Sequence, residues 1–246
     1  MAILITGGTK GIGRAIAEHF SRPGQQVFLN YVSDSESAEQ ACKAVQARGA
    51  ECHLIRQDVG TPEGCQALLA EVAKHAERLD QLVHCAVRVV AADLLAMDPH
   101  AFAAALSVNG SALLYLTQAA LPLLQRGSSI IFLSSRGGRI VLKNYAAIGA
   151  GKALAECLMR YLATELAPRG IRINTVAPGI VDTAAVHAVF GAEASSLVAH
   201  AAATNPSGRG VRDADYCNLI EYLVSPAAEM IQGQVVFVNG GANLAA

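Results

Sequence analysis

The sequence predicts an α/β fold in which seven strands form one parallel sheet. Two observations lead to this prediction. Short runs of β-branched and other apolar residues alternate with longer helical patterns from end to end, which is typical of βαβ units. The chain has 246 residues without a Pro/Gly/Ser-rich linker, a charge run or an internal repeat. We therefore expect a single domain over residues 1–246.

Each element follows from a local pattern of hydrophobic spacing. The predicted strands lie near Ile3–Ile5, Val27–Asn30, Glu51–Asp58, Leu82–Ala86, Ile130–Ser134, Arg172–Ala177 and Val235–Asn239. The predicted helices lie near Gly13–Ser21, Ser35–Arg48, Pro62–His75, Pro99–Gln125, Lys152–Ala167 and Asp213–Leu223. Two of these helices have recognisable starts, because Thr61 and Asp98 can cap them and a proline follows each.

The one long irregular stretch runs from Thr183 to Arg212 and contains an Ala-rich helical piece over Ala192–Ala203. Long excursions of this kind in a compact domain are often functional, so we expect a substrate lid over about 184–211. A simple pair of surface helices is the alternative.

Composition excludes several classes of function. Nineteen basic and twenty acidic residues give a net charge of −1, so we expect no nucleic-acid or membrane partner. The longest apolar stretches are too short for a membrane helix, and the β-like run after Met1 is not a secretory signal. A cytoplasmic protein is expected. Six cysteines without a CxxC pair and seven histidines without metal-ligand spacing predict no metal site.

A glycine-rich loop joins the first strand to the first helix. It reads Thr6-Gly7-Gly8-Thr9-Lys10-Gly11-Ile12-Gly13. Glycines permit the tight turn and let backbone N–H groups approach a pyrophosphate at the positive end of the helix. A loop in this context predicts a dinucleotide site on a Rossmann-type, doubly wound parallel sheet.

This arrangement resembles the short-chain dehydrogenase/reductase superfamily, whose glycine motif is TGxxxGxG, over essentially the whole chain. Asp58-Val59 is similar to the family's adenine-contacting pair, and residues 178–183 are similar to its PGxxxT loop, which holds the nicotinamide carboxamide. Asn109 lies where the family has an active-site Asn. The cofactor-binding residues that the resemblance implies are Gly7, Thr9, Lys10, Gly11, Ile12, Gly13, Asn30, Tyr31, Asp58, Val59, Cys85, Ala86, Lys152, Pro178, Gly179, Ile180 and Thr183.

The choice of cofactor depends on charge beside the adenosine ribose. Strand two ends at Asn30-Tyr31, without the carboxylate that would accept hydrogen bonds from a ribose 2′-hydroxyl. Lys10 could pair with a 2′-phosphate, so NADPH is favoured over NADH. Asp34 is the residue that would reverse this preference if the turn brought it near the ribose.

The catalytic pattern departs from the superfamily's usual Tyr-x3-Lys. Lys152 is in the expected place, but Ile148 stands where the tyrosine would be, and the nearest phenol is Tyr145. Seven helical residues turn through about 700°, so Tyr145 and Lys152 can share one face roughly 10 Å apart along the axis. The phenol is therefore displaced by about one turn.

A displaced phenol suits one reaction better than another. Reduction of a ketone needs a proton on the oxygen about 1.2 Å from the carbon that takes the hydride. Reduction of an α,β-unsaturated thioester gathers charge on a carbonyl oxygen roughly 3 to 4 Å from that carbon. The Tyr-x6-Lys spacing of Tyr145 and Lys152 resembles that of the enoyl-acyl-carrier-protein reductases, most closely their divergent, ketoreductase-like branch.

The resemblance implies NADPH-dependent reduction of the C2=C3 bond of an enoyl thioester, carried on acyl carrier protein or coenzyme A, in fatty-acid or polyketide biosynthesis. Tyr145 would hydrogen-bond the thioester oxygen, and Lys152 would hold the nicotinamide ribose and favour the anionic transition state. Ser135, thirteen residues before Ile148, is an orienting group or a simple strand-end cap.

Two other functions remain open at this point. One is a ketoreductase that uses Tyr145 on a thioester-bound or secondary-metabolite ketone, and the other is a non-catalytic dinucleotide-binding regulator or scaffold. The helix from Lys152 carries more apolar residues than a single stripe. The resemblance implies a homotetramer built through this helix.

Overall fold

The computed structural model of the chain describes residues 1–242 and contains a parallel sheet of seven strands in the order β3-β2-β1-β4-β5-β6-β7. The strands are β1 (Ala2–Thr6), β2 (Gln26–Tyr31), β3 (Glu51–Arg56), β4 (Leu79–His84), β5 (Leu124–Leu133), β6 (Arg172–Pro178) and β7 (Val235–Val238). The α/β class and the parallel seven-stranded sheet predicted from the sequence are confirmed.

Helices cover both faces of the sheet, as a doubly wound fold requires. They are α1 (Gly11–His19), α2 (Ser35–Gln46), α3 (Pro62–Val72), α4 (Pro99–Leu106), α5 (Ala112–Ala120), α6 (Ala146–Leu166), α7 (Ala184–Phe190), α8 (Ala194–Ala203) and α9 (Asp213–Val224). One buried cluster packs α3, α5 and α6 on one face, around Leu68, Leu113 and Met159. The other packs α1, α2 and α9, around Ile16 and Tyr216.

The single helix predicted over Pro99–Gln125 is wrong. A π-helical turn over Ser107–Ser111 separates α4 from α5, and Leu124 already belongs to β5. The cause is close packing against α6, where a Cβ on Gly110 would lie 2.9 Å from the carbonyl oxygen of Gly151. A π turn re-aims the backbone at such a contact, and it is here that Asn109 lies.

Helix α6 begins at Ala146, six residues before the predicted start at Lys152. Tyr145 is its N-cap residue, and its carbonyl accepts the first helical hydrogen bond from the Gly149 N–H at 2.7 Å. Gly149 lowers intrinsic helix propensity, which explains the late predicted start. A Cβ on Gly149 would lie 2.4 Å from the carbonyl oxygen of Gly137, so the glycine lets the two segments touch.

The strand order reverses between β1 and β4, and this is where a doubly wound sheet forms a crevice at the carboxyl ends of its strands. Thr6 and His84 end these two strands in register with each other. The expected lid region contains α7 and α8. Over residues 1–242, no helix is both long and apolar enough to cross a membrane, and the same residues hold no group of three potential metal ligands among His, Cys, Asp and Glu.

Candidate active site

The glycine loop packs tightly against the end of β4. Gly7 has a φ of +63°, and a Cβ there would lie 2.8 Å from the Ala86 Cα. A Cβ on Gly13 would lie 2.3 Å from the carbonyl oxygen of Gly7. Both contacts involve backbone that cannot yield, so both positions require glycine.

A cavity of about 320 Å³ opens beside this loop at the β1/β4 crevice. Of the cofactor-binding residues predicted from the sequence, it is lined by Gly7, Thr9, Lys10, Gly11, Ile12, Asn30, Tyr31, Cys85, Ala86 and Thr183. Helix α1 starts at Gly11 without a side-chain cap on its N-cap residue. Its first N–H groups can therefore bind an anion, and the cradle fits the phosphates of a dinucleotide.

Lys10 and Asp34 form an ion pair at the mouth of this cavity. Asp34 also caps α2 by accepting a hydrogen bond from the Ser37 N–H at 2.9 Å. The hydrogen bond from Lys10, with help from Ser37, lowers the pKa of Asp34 to about 2. The carboxylate that could favour NADH thus lies beside the lysine that could favour NADPH.

Some predicted cofactor residues lie outside this lining. Asp58 accepts a hydrogen bond from the Gly60 N–H at 2.8 Å, and Val59 is buried in the core. Their adenine contact stays a prediction. Pro178, Gly179 and Ile180 line a second cavity, described below.

His84, the last residue of β4, is fully buried. Its Nδ1 lies 2.7 Å from the Thr6 hydroxyl, and its Nε2 lies 3.1 Å from the Val108 carbonyl oxygen. Because that carbonyl can only accept, Nε2 carries the proton and Nδ1 accepts from Thr6. Burial, then the charge of Lys152, lowers the pKa of His84 to about 3. His84 is therefore a neutral side chain whose two hydrogen bonds connect β1 to the π turn.

Lys152 is buried at the carboxyl end of β5. Its Nζ donates a hydrogen bond to the Leu133 carbonyl oxygen at 2.6 Å and lies 4.6 Å from the centre of the Phe132 ring. Burial lowers the pKa of Lys152 to about 8, although Cys85 and Glu156 partly oppose this shift. Lys152 is therefore mainly an ammonium at neutral pH and loses its proton above about pH 8.

Tyr145 and Ser135 come together across the loop between β5 and α6. A Cβ on Gly137 would lie 2.4 Å from the Tyr145 ring, so the ring packs flush against this glycine. Burial raises the pKa of Tyr145, while a hydrogen bond with Ser135 acts in the opposite direction. The phenol is thus a neutral donor at physiological pH. Asn144, just before it, has a φ of +57°, a conformation that asparagine tolerates better than most residues.

Asn109 does not face this pair directly. Its amide exchanges hydrogen bonds with the backbone of Arg88, at 2.8 and 2.9 Å, and approaches the Ala147 carbonyl oxygen at 3.5 Å. It also packs on Gly151, next to Lys152, where an added Cβ would lie 2.5 Å away. Asn109 therefore ties the loop after β4 to the start of α6, which is a positioning role.

A buried carboxylate near Lys152 is not evident from the sequence motifs. Glu156 accepts hydrogen bonds from the Ser134 hydroxyl at 2.6 Å and from Arg139 at 3.0 Å. It lies one helical turn after Lys152, and this i, i+4 spacing is the signal that could have revealed it. The network anchors the segment that carries Ser135.

Comparison with known proteins places these features in a family. The family model described as Enoyl-(Acyl carrier protein) reductase matches residues 7–243. The chain is 31% identical to a 1-cyclohexenylcarbonyl-CoA reductase of Streptomyces collinus, over 99% of this chain and 87% of that protein. It is 32% identical to a 3-oxoacyl-acyl-carrier-protein reductase of Staphylococcus aureus, over 97% of this chain and 96% of that protein.

A solved structure of the same superfamily has a similar fold. The short-chain dehydrogenase from Burkholderia cenocepacia J2315 in complex with NADP superposes with a TM-score of 0.87 at 29% identity, covering 98% of this chain and 97% of that one. The chain therefore belongs to the family whose sequence model matches residues 7–243, within the short-chain dehydrogenase/reductase superfamily of oxidoreductases.

Proposed function

We propose that this protein reduces the C2=C3 double bond of an enoyl thioester with NADPH. The observation that carries the proposal is the position of the phenol. Ile148, where the superfamily has its usual tyrosine, is buried, whereas Tyr145 lies beside Ser135 at the start of α6. A phenol displaced in this way from the usual position suits an oxygen that is not bonded to the carbon receiving the hydride.

Three side chains have separate roles in this reaction. A bound dihydronicotinamide would supply the hydride, which adds to C3 while the alkene electrons move onto the thioester oxygen. Tyr145 donates a hydrogen bond to that oxygen as its charge develops. The thioester carbonyl then re-forms as C2 takes a proton from solvent. Lys152 orients the cofactor ribose and adds a positive charge to the anionic transition state. Ser135, whose hydroxyl caps the turn over Arg136–Gly138 by accepting a hydrogen bond from the Gly137 N–H at 3.2 Å, would orient the phenol.

Two kinds of relative bear on this choice. The substrate in the name of the Streptomyces collinus relative has a double bond conjugated with a thioester carbonyl, as the proposed substrate does. The Staphylococcus aureus relative is named for a 3-oxoacyl substrate, which favours a ketoreductase as the second candidate. A non-catalytic dinucleotide-binding scaffold would need neither a buried Lys152 nor a Tyr145–Ser135 pair.

The direct test compares NADPH oxidation with crotonyl and acetoacetyl thioesters of coenzyme A and of acyl carrier protein. Turnover of the crotonyl thioester, faster than that of the acetoacetyl thioester, is the expected result. Turnover of the ketone alone would show that the protein is a ketoreductase. NADPH binding without turnover of either thioester would support the non-catalytic scaffold.

The preference for NADPH rests on Lys10. Exposed ion pairs are weak, so a dianionic 2′-phosphate can draw Lys10 away from Asp34. The solved relative described above holds NADP, and strand β2 ends without a carboxylate.

Lys10→Ala should weaken NADPH binding at least about tenfold, with little change for NADH, because a charge-assisted contact is lost. Asp34→Asn should act in the opposite sense and strengthen NADPH binding, since it removes a repelling charge and frees Lys10. Equilibrium titration of cofactor fluorescence measures both constants. Equal losses for the two cofactors in Lys10→Ala would contradict the assignment.

We also propose a homo-oligomer, most simply a tetramer, formed through α6. Leu154, Cys157 and Leu158 are only partly buried and Tyr161 is 69% exposed, while the opposite side of the helix packs in the core. An apolar second face on a long helix favours a partner. Light scattering at micromolar concentration should give a multiple of 25.5 kDa, and a monomeric mass would exclude the assembly.

A further inference from the structure

A second cavity, of about 150 Å³, lies between helix α8, the end of β6 and strand β7. Its walls are largely apolar and include Ile180, Val198, Ala201, Ala202, Val211 and Phe237. The guanidinium-bearing side chain of Arg136 also lines it, and Arg136 is only partly exposed. A cation set among apolar walls is the kind of polar group that fixes the orientation of a ligand.

Among the residues that the structure describes, Arg136 is the cation that lines this cavity, and it is available to bind a ligand. Among residues 1–242, its side chain makes neither an ion pair nor a hydrogen bond, and Asp182, which also lines the cavity, pairs with His187 at 2.7 Å. The neighbouring Arg139 is held by Glu156 and lies 5.0 Å from the centre of the Phe237 ring.

The cavity's other polar side chains are also engaged within the protein. Asn205 donates to the Asn239 carbonyl oxygen at 3.0 Å, and Asn239 donates to the Ala242 carbonyl oxygen at 2.6 Å. Within residues 1–242 no carboxylate holds Arg136, so an incoming anion would not have to displace one.

The position of Arg136 indicates which part of a substrate would reach it. Arg136 follows Ser135 directly, so their Cα atoms are about 3.8 Å apart. The cavity also borders Pro178, Gly179 and Ile180, the loop expected to hold the nicotinamide. Its volume is about half the roughly 300 Å³ at which small-molecule pockets begin. It suits a short fragment near the reacting atoms rather than a whole pantetheine arm.

We propose that this cavity is a subsite for a carboxylate carried on the acyl group a few carbons from the reacting bond, bound by Arg136. This assignment of substrate class rests on the proposed reduction of enoyl thioesters. Guanidinium and carboxylate match in geometry and charge, and the apolar walls accommodate the intervening methylenes. The enzyme then selects acidic acyl thioesters over neutral ones of equal length.

The test compares two coenzyme A thioesters of the same chain length, trans-2-hexenoyl and 5-carboxy-trans-2-pentenoyl. The wild type should favour the acid at least about tenfold in kcat/KM. Arg136→Gln should remove most of that preference through the KM of the acid alone. Lys143→Gln is the matched control, because it removes a positive charge from the same segment at an exposed position outside the cavity, and it should keep the preference.

Binding separates this proposal from the proposed reaction. The saturated adipoyl and hexanoyl N-acetylcysteamine thioesters can be titrated calorimetrically against the NADP⁺ complex without turnover. Tighter binding of adipoyl that depends on Arg136 supports the subsite even if no alkene is reduced. Equal binding of the two, or an equal ratio in wild type and Arg136→Gln, overturns it even if crotonyl thioesters are reduced.

A further experiment distinguishes an acyl carboxylate from the phosphate of the carrier as the anion that binds Arg136. Crotonyl thioesters of pantetheine and of phosphopantetheine differ only in the carrier's phosphate. Equal kcat/KM for the two is expected. A preference for the phosphorylated carrier that Arg136→Gln abolishes would place the phosphate at Arg136 and overturn the acyl-carboxylate assignment.

Discussion

Replacing Tyr145 by Phe should lower kcat for alkene reduction about 10²- to 10³-fold, because one donor aimed at developing charge is lost. The ring would still pack against Gly137, so the fold and the NADPH affinity should be preserved. Burial raises the pKa of Tyr145, which keeps the phenol protonated as the donor that this role requires. Steady-state rates with a crotonyl thioester measure the effect.

Two variants control this experiment. Tyr222→Phe removes a phenol from an exposed position on α9 and should leave kcat unchanged. Ile148→Tyr, added to Tyr145→Phe, restores the ordinary Tyr-x3-Lys spacing but should not rescue alkene reduction, since its hydroxyl starts from a different position in the first turn of α6. Undiminished turnover by Tyr145→Phe would exclude the phenol from the mechanism.

Replacing Lys152 by Met should lower kcat/KM for NADPH about 10²-fold or more, because the substitution removes a buried cation and donor from the cofactor side of the site. It should not destabilise the protein. A pKa near 8 rather than 10.5 means that charging Lys152 in the fold costs about 3 kcal/mol, a cost that methionine avoids. Thermal unfolding should therefore show an unchanged or higher Tm. If Lys152→Met instead lowered the Tm strongly, its loss of activity would be explained by unfolding and would not support the proposed role of Lys152.

The same pKa shift sets a pH dependence in the wild type. The folded pKa lies below the unfolded one, so between about pH 8 and 10.5 the unfolded chain binds more protons. The contribution of Lys152 to the free energy of unfolding therefore rises across that window. Because only the ammonium assists the anionic transition state, kcat/KM for NADPH, which reports the free enzyme, should fall above about pH 8. Lys152→Arg should move this fall to higher pH, since a guanidinium remains charged.

Sequence patterns predicted the sheet and the cofactor crevice because both depend on local signals. Alternating apolar runs and the glycine loop specify βαβ units, and many of the residues predicted at the loop and strand ends line the cavity. The element boundaries around the proposed catalytic segment were predicted less well. Gly110, Gly149 and Gly151 lower helix propensity locally, yet each allows a backbone contact that only the tertiary fold reveals. The π turn and the early start of α6 follow from those contacts.

The residues predicted to be catalytic show the same difference between local and tertiary signals. Spacing alone identified Tyr145 in place of Ile148, and the structure brings Tyr145 beside Ser135. Spacing could not show that Asn109 is engaged with Arg88 or that Lys10 pairs with Asp34. It also could not show that Arg136, unlike Arg139, has no ionic partner among residues 1–242. These pairings depend on segments far apart in the chain.

The most direct test of the central claim follows the transferred hydrogen atom. With NADPH deuterated on the transferred face, product from a crotonyl thioester should be the saturated butyryl thioester with deuterium at C3. Tyr145→Phe should form the same product at a rate reduced about 10²- to 10³-fold. Deuterium found instead on a carbinol carbon, from a 3-oxoacyl thioester that is the better substrate, would contradict enoyl reduction.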